Sequence, residues 1–169
     1  MKFFLTIILV LLASVALGQV TEEWVARYDG PANSTDIATA LAVDTEGNVY
    51  VTGWSIGSGT GDDHATIKYD SEGNQLWVAR YNGPGNGSDL ATALALDASG
   101  NVYVTGDSYR TRTGHDYTTI KYDSEGNQLW VARYNGPGNG ADLAYALALD
   151  PSGNVYVTGY SEGSGTSYD

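Results

Sequence analysis

Apolar and polar positions alternate with a period of two along most of this chain. Short clusters of Gly, Asp, Asn and Ser interrupt the alternation. "DLATALALD" (Asp89–Asp97), "NVYVTGDS" (Asn101–Ser108), "YTTIKYD" (Tyr117–Asp123) and "QLWVARYN" (Gln128–Asn135) each predict a strand. Val, Thr, Tyr and Trp fill them, and nothing after the N-terminal apolar run shows a helical period. We letter these strands A to D. Turns of the form D-x-x-G-N join A to B and C to D, at Asp44–Asn48, Asp70–Asn74, Asp97–Asn101, Asp123–Asn127 and Asp150–Asn154. Asp suits the first position of a type I turn and Gly the left-handed residue after it, so each turn predicts a tight hairpin.

The four-strand pattern repeats. "GNVYVTG" begins at Gly47, Gly100 and Gly153, a spacing of 53 residues. Residues 66–106 recur as 119–159 with three changes, Ser88 to Ala141, Thr92 to Tyr145 and Ala98 to Pro151. Duplication this close predicts nearly identical backbones. An antiparallel four-stranded meander repeated about every 50 residues is the signature of a β-propeller blade. The fold class expected is therefore all-β, a β-propeller with one blade per repeat.

"ALALDPSGNVYVTGYS" together with "TIKYDSEGNQLWVARYNG" resembles the SBBP family of bacterial secreted β-propeller repeats, across essentially all of residues 20–169. A fainter likeness exists to NHL repeats, which share the D-x-x-G-N-V-Y-V core but lack the W-V-A-R-Y strand. The expected organisation is a lone outer strand D at 23–29, whole blades at 36–81 and 89–134, and strands A and B of a half blade within 142–169. Closed propellers typically have about four to eight blades, and the resemblance implies about seven, so some 2.5 to 3 blades form an incomplete arc. Asp169 aligns with Asp63 and Asp116, just before a strand C, and this predicts a truncated piece of a longer propeller. The alternative is self-association of open arcs, which would cover their edges.

Composition sets the compartment. Lys2, the apolar run Phe3–Leu17 and the small pair Ala16 and Gly18 predict a signal peptide over 1–18, cleaved near Gly18/Gln19, and no membrane span. The expected location is extracellular, periplasmic or at the bacterial cell surface. There is no Cys, which removes disulfides, thiolate metal ligation and thiol catalysis. The formal charge of −12 excludes nucleic acid as a partner, because such a surface repels phosphate backbones.

Connections in a meander alternate between two rims. The acidic A–B and C–D turns share one rim, and the long B–C loops and glycine-rich D–A loops share the other. Variation concentrates in the B–C loops, "GWSIGSGTGDDH", "GDSYRTRTGHDY" and "GYSEGSGTSYD". Trp54, Tyr109, Arg110, Arg112 and Tyr160 are the candidate binding residues there, since aromatics and Arg dominate contact energy. Asp36, Asp89 and Asp142 each open a strand A. If A is innermost, as the resemblance implies, they ring the channel mouth, where Ca²⁺ is the cation they could take. The more ordinary expectation is that each hydrogen-bonds its own turn. No other cofactor is expected. His64 and His115 read as solvent-exposed loop residues, and no nucleophile elbow or H-E-x-x-H motif accompanies them.

The function expected is that of a non-catalytic binding or scaffold module for a protein or a glycan. Two alternatives differ in class. One is a cation-dependent hydrolase, lactonase or lyase with its site in further blades, and the other is a structural repeat of an adhesin or envelope protein.

Overall fold

The computed structural model describes residues 22–165, and the expected signal segment 1–18 lies outside them. The described residues form ten antiparallel strands and no helix. Blade 1 is β1 (Asp36–Val43), β2 (Val49–Ile56), β3 (Asp62–Tyr69) and β4 (Gln75–Tyr81), hydrogen-bonded in chain order. Blade 2 repeats it as β5 (Asp89–Leu96), β6 (Val102–Arg110), β7 (Gly114–Tyr122) and β8 (Gln128–Tyr134). A half blade follows, β9 (Leu143–Leu149) paired with β10 (Val155–Tyr160). The three sheets form an open arc of propeller blades.

Each hairpin turn is held by its Asp. In the C–D turn of blade 1, Asp70 Oδ1 accepts the amides of Glu72 and Asn74, and its Oδ2 accepts the Asn74 side chain. Asp44, Asp97, Asp123 and Asp150 repeat the arrangement. Strand A carries a β-bulge at Ala38/Ala40 in blade 1 and at Ala91/Ala93 in blade 2, opposite Gly53 and Gly106. A Cβ on Gly106 would lie 2.8 Å from the Ala91 Cα, so this crossing requires glycine.

Period-two alternation gives every blade two unlike faces. On blade 1, Tyr50, Thr52, Thr66, Trp77 and Ala79 lie on the trailing face, toward blade 2. Val49, Val51, Ile67 and Tyr69 lie on the leading face, away from it. The core forms where the trailing face of one blade meets the leading face of the next. Tyr50, Ala79 and Tyr81 pack against Val102, Val104, Ile120 and Tyr122. Burial of such side chains stabilises by roughly 1.5–3 kcal/mol each, so the joint between blades holds most of the apolar stabilisation.

Polar contacts repeat across the joints with the same spacing as the sequence. The Thr39 hydroxyl donates to the Ala91 carbonyl, and Thr92 to that of Ala144, both at 2.8 Å. Trp77 Nε1 donates to the Ser124 carbonyl at 3.1 Å, and Trp24 to Ser71 at 3.2 Å. β5 touches β1, β2 and β3, while β9 touches β5, β6 and β7, so strand A of each blade nests against its predecessor. Residues 23–29, expected as a lone strand D, form no ladder with the described strands. Trp24 nevertheless sits on blade 1 as Trp77 sits on blade 2.

Candidate functional site

The long-loop rim is built by two kinds of connection that lean on each other. In the D–A loops, Asn33, Asn86 and Asn139 adopt positive φ (47°, 48° and 52°), a conformation Asn tolerates. Each loop is pinned by the Asp that opens strand A. The Gly83 amide donates to Asp89 Oδ2 at 2.6 Å, and the Tyr109 amide to Oδ1 at 3.0 Å. Gly30 and Gly136 donate to Asp36 and Asp142 in the same way, at 3.1 and 2.7 Å, and the Ser161 hydroxyl also bonds to Asp142. These carboxylates thus tie the D–A loop to their own strand, and Asp89 ties in the B–C loop as well. Burial pushes the Asp89 carboxyl above its ordinary range against the hydrogen bonds it accepts. Among the described residues no three His, Asp or Glu side chains gather in a way that could hold a metal ion.

The five candidate binding residues fall in three places. Trp54 lies in β2, opposite Ile37 and His64, and lines an apolar recess of about 210 Å³ on the leading face of blade 1. Tyr160 ends β10, with its ring 5.7 Å from that of Tyr145. Tyr109 and Arg110 end β6 and Arg112 lies in the short loop after it, so the three come together at the tip of the β6–β7 hairpin of blade 2. Tyr109 packs over Gly85 and Gly87 of the D–A loop, with its ring 5.5 Å from His115 in an edge-on contact. Arg110 and Arg112 are exposed, and Arg110 Nη1 lies 3.7 Å from Asp116.

Blade 2 also holds a pair that sequence reasoning passed over. His115 Nδ1 lies 2.6 Å from Asp107 Oδ2, with the carboxylate buried and the imidazole a third exposed. Burial raises the Asp107 carboxyl, opposed by the His115 charge. The signal was present in the repeat. Asp107 stands where the other copies have Trp54 and Tyr160, and His115 stands where blade 1 has Asp62. Two exchanges in one copy that meet in space mark a residue pair.

His64 corrects an expectation. It lies within β3 and is 1% exposed, buried at the joint because β3 begins at Asp62 and the loop is shorter than the sequence suggests. Its Nε2 contacts the Asp107 carbonyl at 3.1 Å, and its ring packs 5.6 Å from Tyr81. Burial lowers its pKa to about 4, so it is neutral near pH 7. His115 likewise lies in a strand, near the start of β7 and opposite Tyr109, and is the partly exposed one of the two.

Comparison with known proteins agrees with the repeat architecture. Residues 23–59 and 129–165 match the SBBP β-propeller repeat model. The chain is 29% identical over 118 residues to an uncharacterized WD repeat-containing protein, L264, of Acanthamoeba polyphaga mimivirus, covering 57% of this chain and 8% of that protein. It is 30% identical over 142 residues to the regulatory protein FlaEY of Caulobacter vibrioides, covering 75% of this chain and 14% of that protein. The chain thus spans a small part of the length of either relative.

Proposed function

Starting from a chain that carries SBBP β-propeller repeats, we propose that it is a secreted or cell-surface, non-catalytic binding module that engages a protein or glycan through its long-loop rim. One observation supports this above the others. Strands, turns and inter-blade contacts repeat with a 53-residue period, whereas blade 2 gathers Tyr109, Arg110, Arg112 and the Asp107–His115 pair at the loop end of its β6–β7 hairpin. A rigid frame with one differentiated loop is how repeat scaffolds present a contact surface. The names of the relatives, a WD repeat-containing protein and a regulatory protein, accord with an interaction role. Among the described residues no helix is long and apolar enough to cross a membrane.

The test is direct binding of the chain to panels of purified bacterial surface glycans and surface proteins. Wild type is compared with a variant in which Tyr109, Arg110 and Arg112 become Ile, Gly and Gly, the residues blade 1 carries at 56, 57 and 59. Loss of about tenfold or more in affinity is expected, the scale of a contact hot spot. Equal binding by both proteins would remove the loop from the interface.

One feature favours a hydrolytic role instead. The buried Asp107 carboxylate orients a partly exposed imidazole, as a general base requires. Turnover of esters and lactones by wild type and His115→Ala tests this, and identical rates would eliminate it.

A further inference from the structure

We propose that Asn86, and its repeat Asn139, are sites of spontaneous deamidation that the D–A loops are built to favour. The chain holds four Asn-Gly pairs, all in these loops: Asn82–Gly83 and Asn86–Gly87 before blade 2, Asn135–Gly136 and Asn139–Gly140 before the half blade. In such a pair the backbone nitrogen of the glycine can attack the side-chain carbonyl carbon of the asparagine, because glycine has no Cβ to block the approach. A nitrogen–carbon bond forms, and the bond from that carbon to the side-chain nitrogen breaks. Ammonia leaves with the proton that the backbone nitrogen gives up. Water then opens the resulting succinimide at one of its two carbonyls. One opening yields aspartate. The other yields isoaspartate, with the main chain routed through the former side-chain methylene.

Hydrogen bonding separates the two pairs of each loop. At the first pair the nucleophile is held. Gly83 is buried and its amide donates to Asp89 Oδ2 at 2.6 Å, and buried Gly136 donates to Asp142 Oδ2 at 2.7 Å. At the second pair it is free. Among the described residues no hydrogen bond engages the Gly87 or Gly140 amide, and Asn86 and Asn139 are exposed. The carbonyl under attack is also activated. Asn82 Nδ2 donates to Asn86 Oδ1 at 2.8 Å, and Asn135 Nδ2 donates to Asn139 Oδ1 at the same distance. A donor on that oxygen stabilises the negative charge it acquires as the nitrogen attacks. The first asparagine of each loop is thus spared and activates the second.

Blade 1 supplies the contrast within the same molecule. Asn33 shares the loop position and the positive φ of Asn86, but Ser34 stands in place of the glycine and Asp29 in place of the donor asparagine. Conversion at Asn86 also has a structural consequence. The Tyr109 ring rests on Gly87, so closely that a Cβ there would lie 2.4 Å from Tyr109 Cδ1. Isoaspartate at 86 adds one carbon to the main chain directly before Gly87 and shifts the surface beneath that ring. The long-loop rim beside Tyr109 therefore changes, and gains a carboxylate, as the molecule ages.

Peptide mapping by mass spectrometry, on the full chain aged at neutral and mildly alkaline pH, tests the proposal. The readouts are conversion of each asparagine to its acid form and labelling of isoaspartate by an isoaspartyl methyltransferase. In the folded chain Asn86 and Asn139 are expected to convert, faster at the higher pH, while Asn33, Asn82 and Asn135 persist. In urea all four Asn-Gly pairs are expected to convert at similar rates, since the hydrogen bonds that separate them are gone. Asn82→Asp, the residue blade 1 carries, is expected to slow conversion at Asn86 several-fold and leave Asn139 unchanged, so the variant contains its own reference for folding. Asn86 as inert as Asn33 in the folded chain would overturn the proposal. So would Asn82 and Asn135 converting there as fast as Asn86, or Asn82→Asp leaving the rate at Asn86 unchanged.

Discussion

Blades 1 and 2 share a backbone and most of their strand residues, yet the same arginine behaves differently in each. In blade 1, Arg80 reaches inward. Its Nη1 donates to the Tyr28 hydroxyl at 3.1 Å and to Ser55 Oγ at 2.7 Å, and its Nη2 donates to the Ser55 carbonyl and Asp63 at 2.9 and 3.0 Å. In blade 2 the equivalent Arg133 lies over the Tyr81 ring, 5.4 Å from its centroid. Asp116, the counterpart of Asp63, instead has Arg110 at 3.7 Å, while both carboxylates accept from an equivalent hydroxyl, Thr60 in blade 1 and Thr113 in blade 2, at 3.0 Å. The Tyr81 hydroxyl, whose counterpart Tyr28 accepts from Arg80, is left buried without a hydrogen bond, whereas one oxygen of Asp63 and one of Asp116 are unpaired alike. Gly57 of blade 1 is Arg110 in blade 2, so a loop exchange brings a second cation to the carboxylate. Loop substitutions in this fold rewire the polar interior while the ladder stays the same.

The largest test of that difference removes each arginine. Arg80→Ala strips the cation from a buried carboxylate and is expected to cost about 3 kcal/mol, whereas Arg133→Ala loses a cation–π contact and should cost about 1 kcal/mol. Urea midpoints would show the two, and equal costs would mean that Arg133 shares the inward position of Arg80.

Next is His64, which blade 2 replaces by Tyr117. Its folded pKa of about 4 lies below the ordinary 6.5, so the unfolded chain takes up a proton first as pH falls. Stability is then full above pH 6.5 and declines from there toward pH 4, by about 2 kcal/mol at pH 5. His64→Tyr should flatten that segment of a stability-against-pH curve. A decline of unchanged size would show that another group carries it.

A smaller contrast separates two turn glycines of blade 2. Gly100 and Gly126 both have positive φ, 76° and 85°, so alanine at either strains the backbone by roughly 1 kcal/mol. A Cβ at Gly126 would also lie 2.7 Å from the Trp77 ring, while the nearest atom at Gly100, a Ser124 carbon, is 3.5 Å away. Gly126→Ala should therefore lower the melting temperature more than Gly100→Ala, with quenching or a shift of Trp fluorescence in the former alone.

The smallest effect expected is at the turn carboxylates. Hydrogen bonds from the Asn127 side chain and amide hold Asp123 below its ordinary pKa. Its contribution is present above the unfolded value and is lost as pH falls through the folded one. Asp123→Asn should lower stability slightly at pH 7 and flatten the acid limb below about pH 4, as acid titration of unfolding would show.

Much of the fold was legible before any coordinates, because its signals are local. Alternation, the D-x-x-G-N turns and the 53-residue period specify strands, hairpins and blades from neighbouring residues alone. The tie from Asp89 to the Gly83 amide was likewise an expected form of Asp chemistry near a glycine-rich loop. Burial of His64 was not legible, because it depends on where β3 begins and on a second blade closing over it. The Asp107–His115 contact lay open to sequence comparison but required the β6–β7 register to become a pair.

The sequence by itself determined the repeating architecture, the acidic surface, and the rim on which the variable loops stand. Meander parity and turn chemistry leave no other placement for those loops. Tertiary structure alone decided which arginine meets which carboxylate and which histidine is buried. Those outcomes depend on strand register within a blade, as for Arg80 and Asp63, and on side chains from neighbouring blades meeting across a joint, as for His64 and Asp107 or Arg133 and Tyr81, which no local pattern encodes.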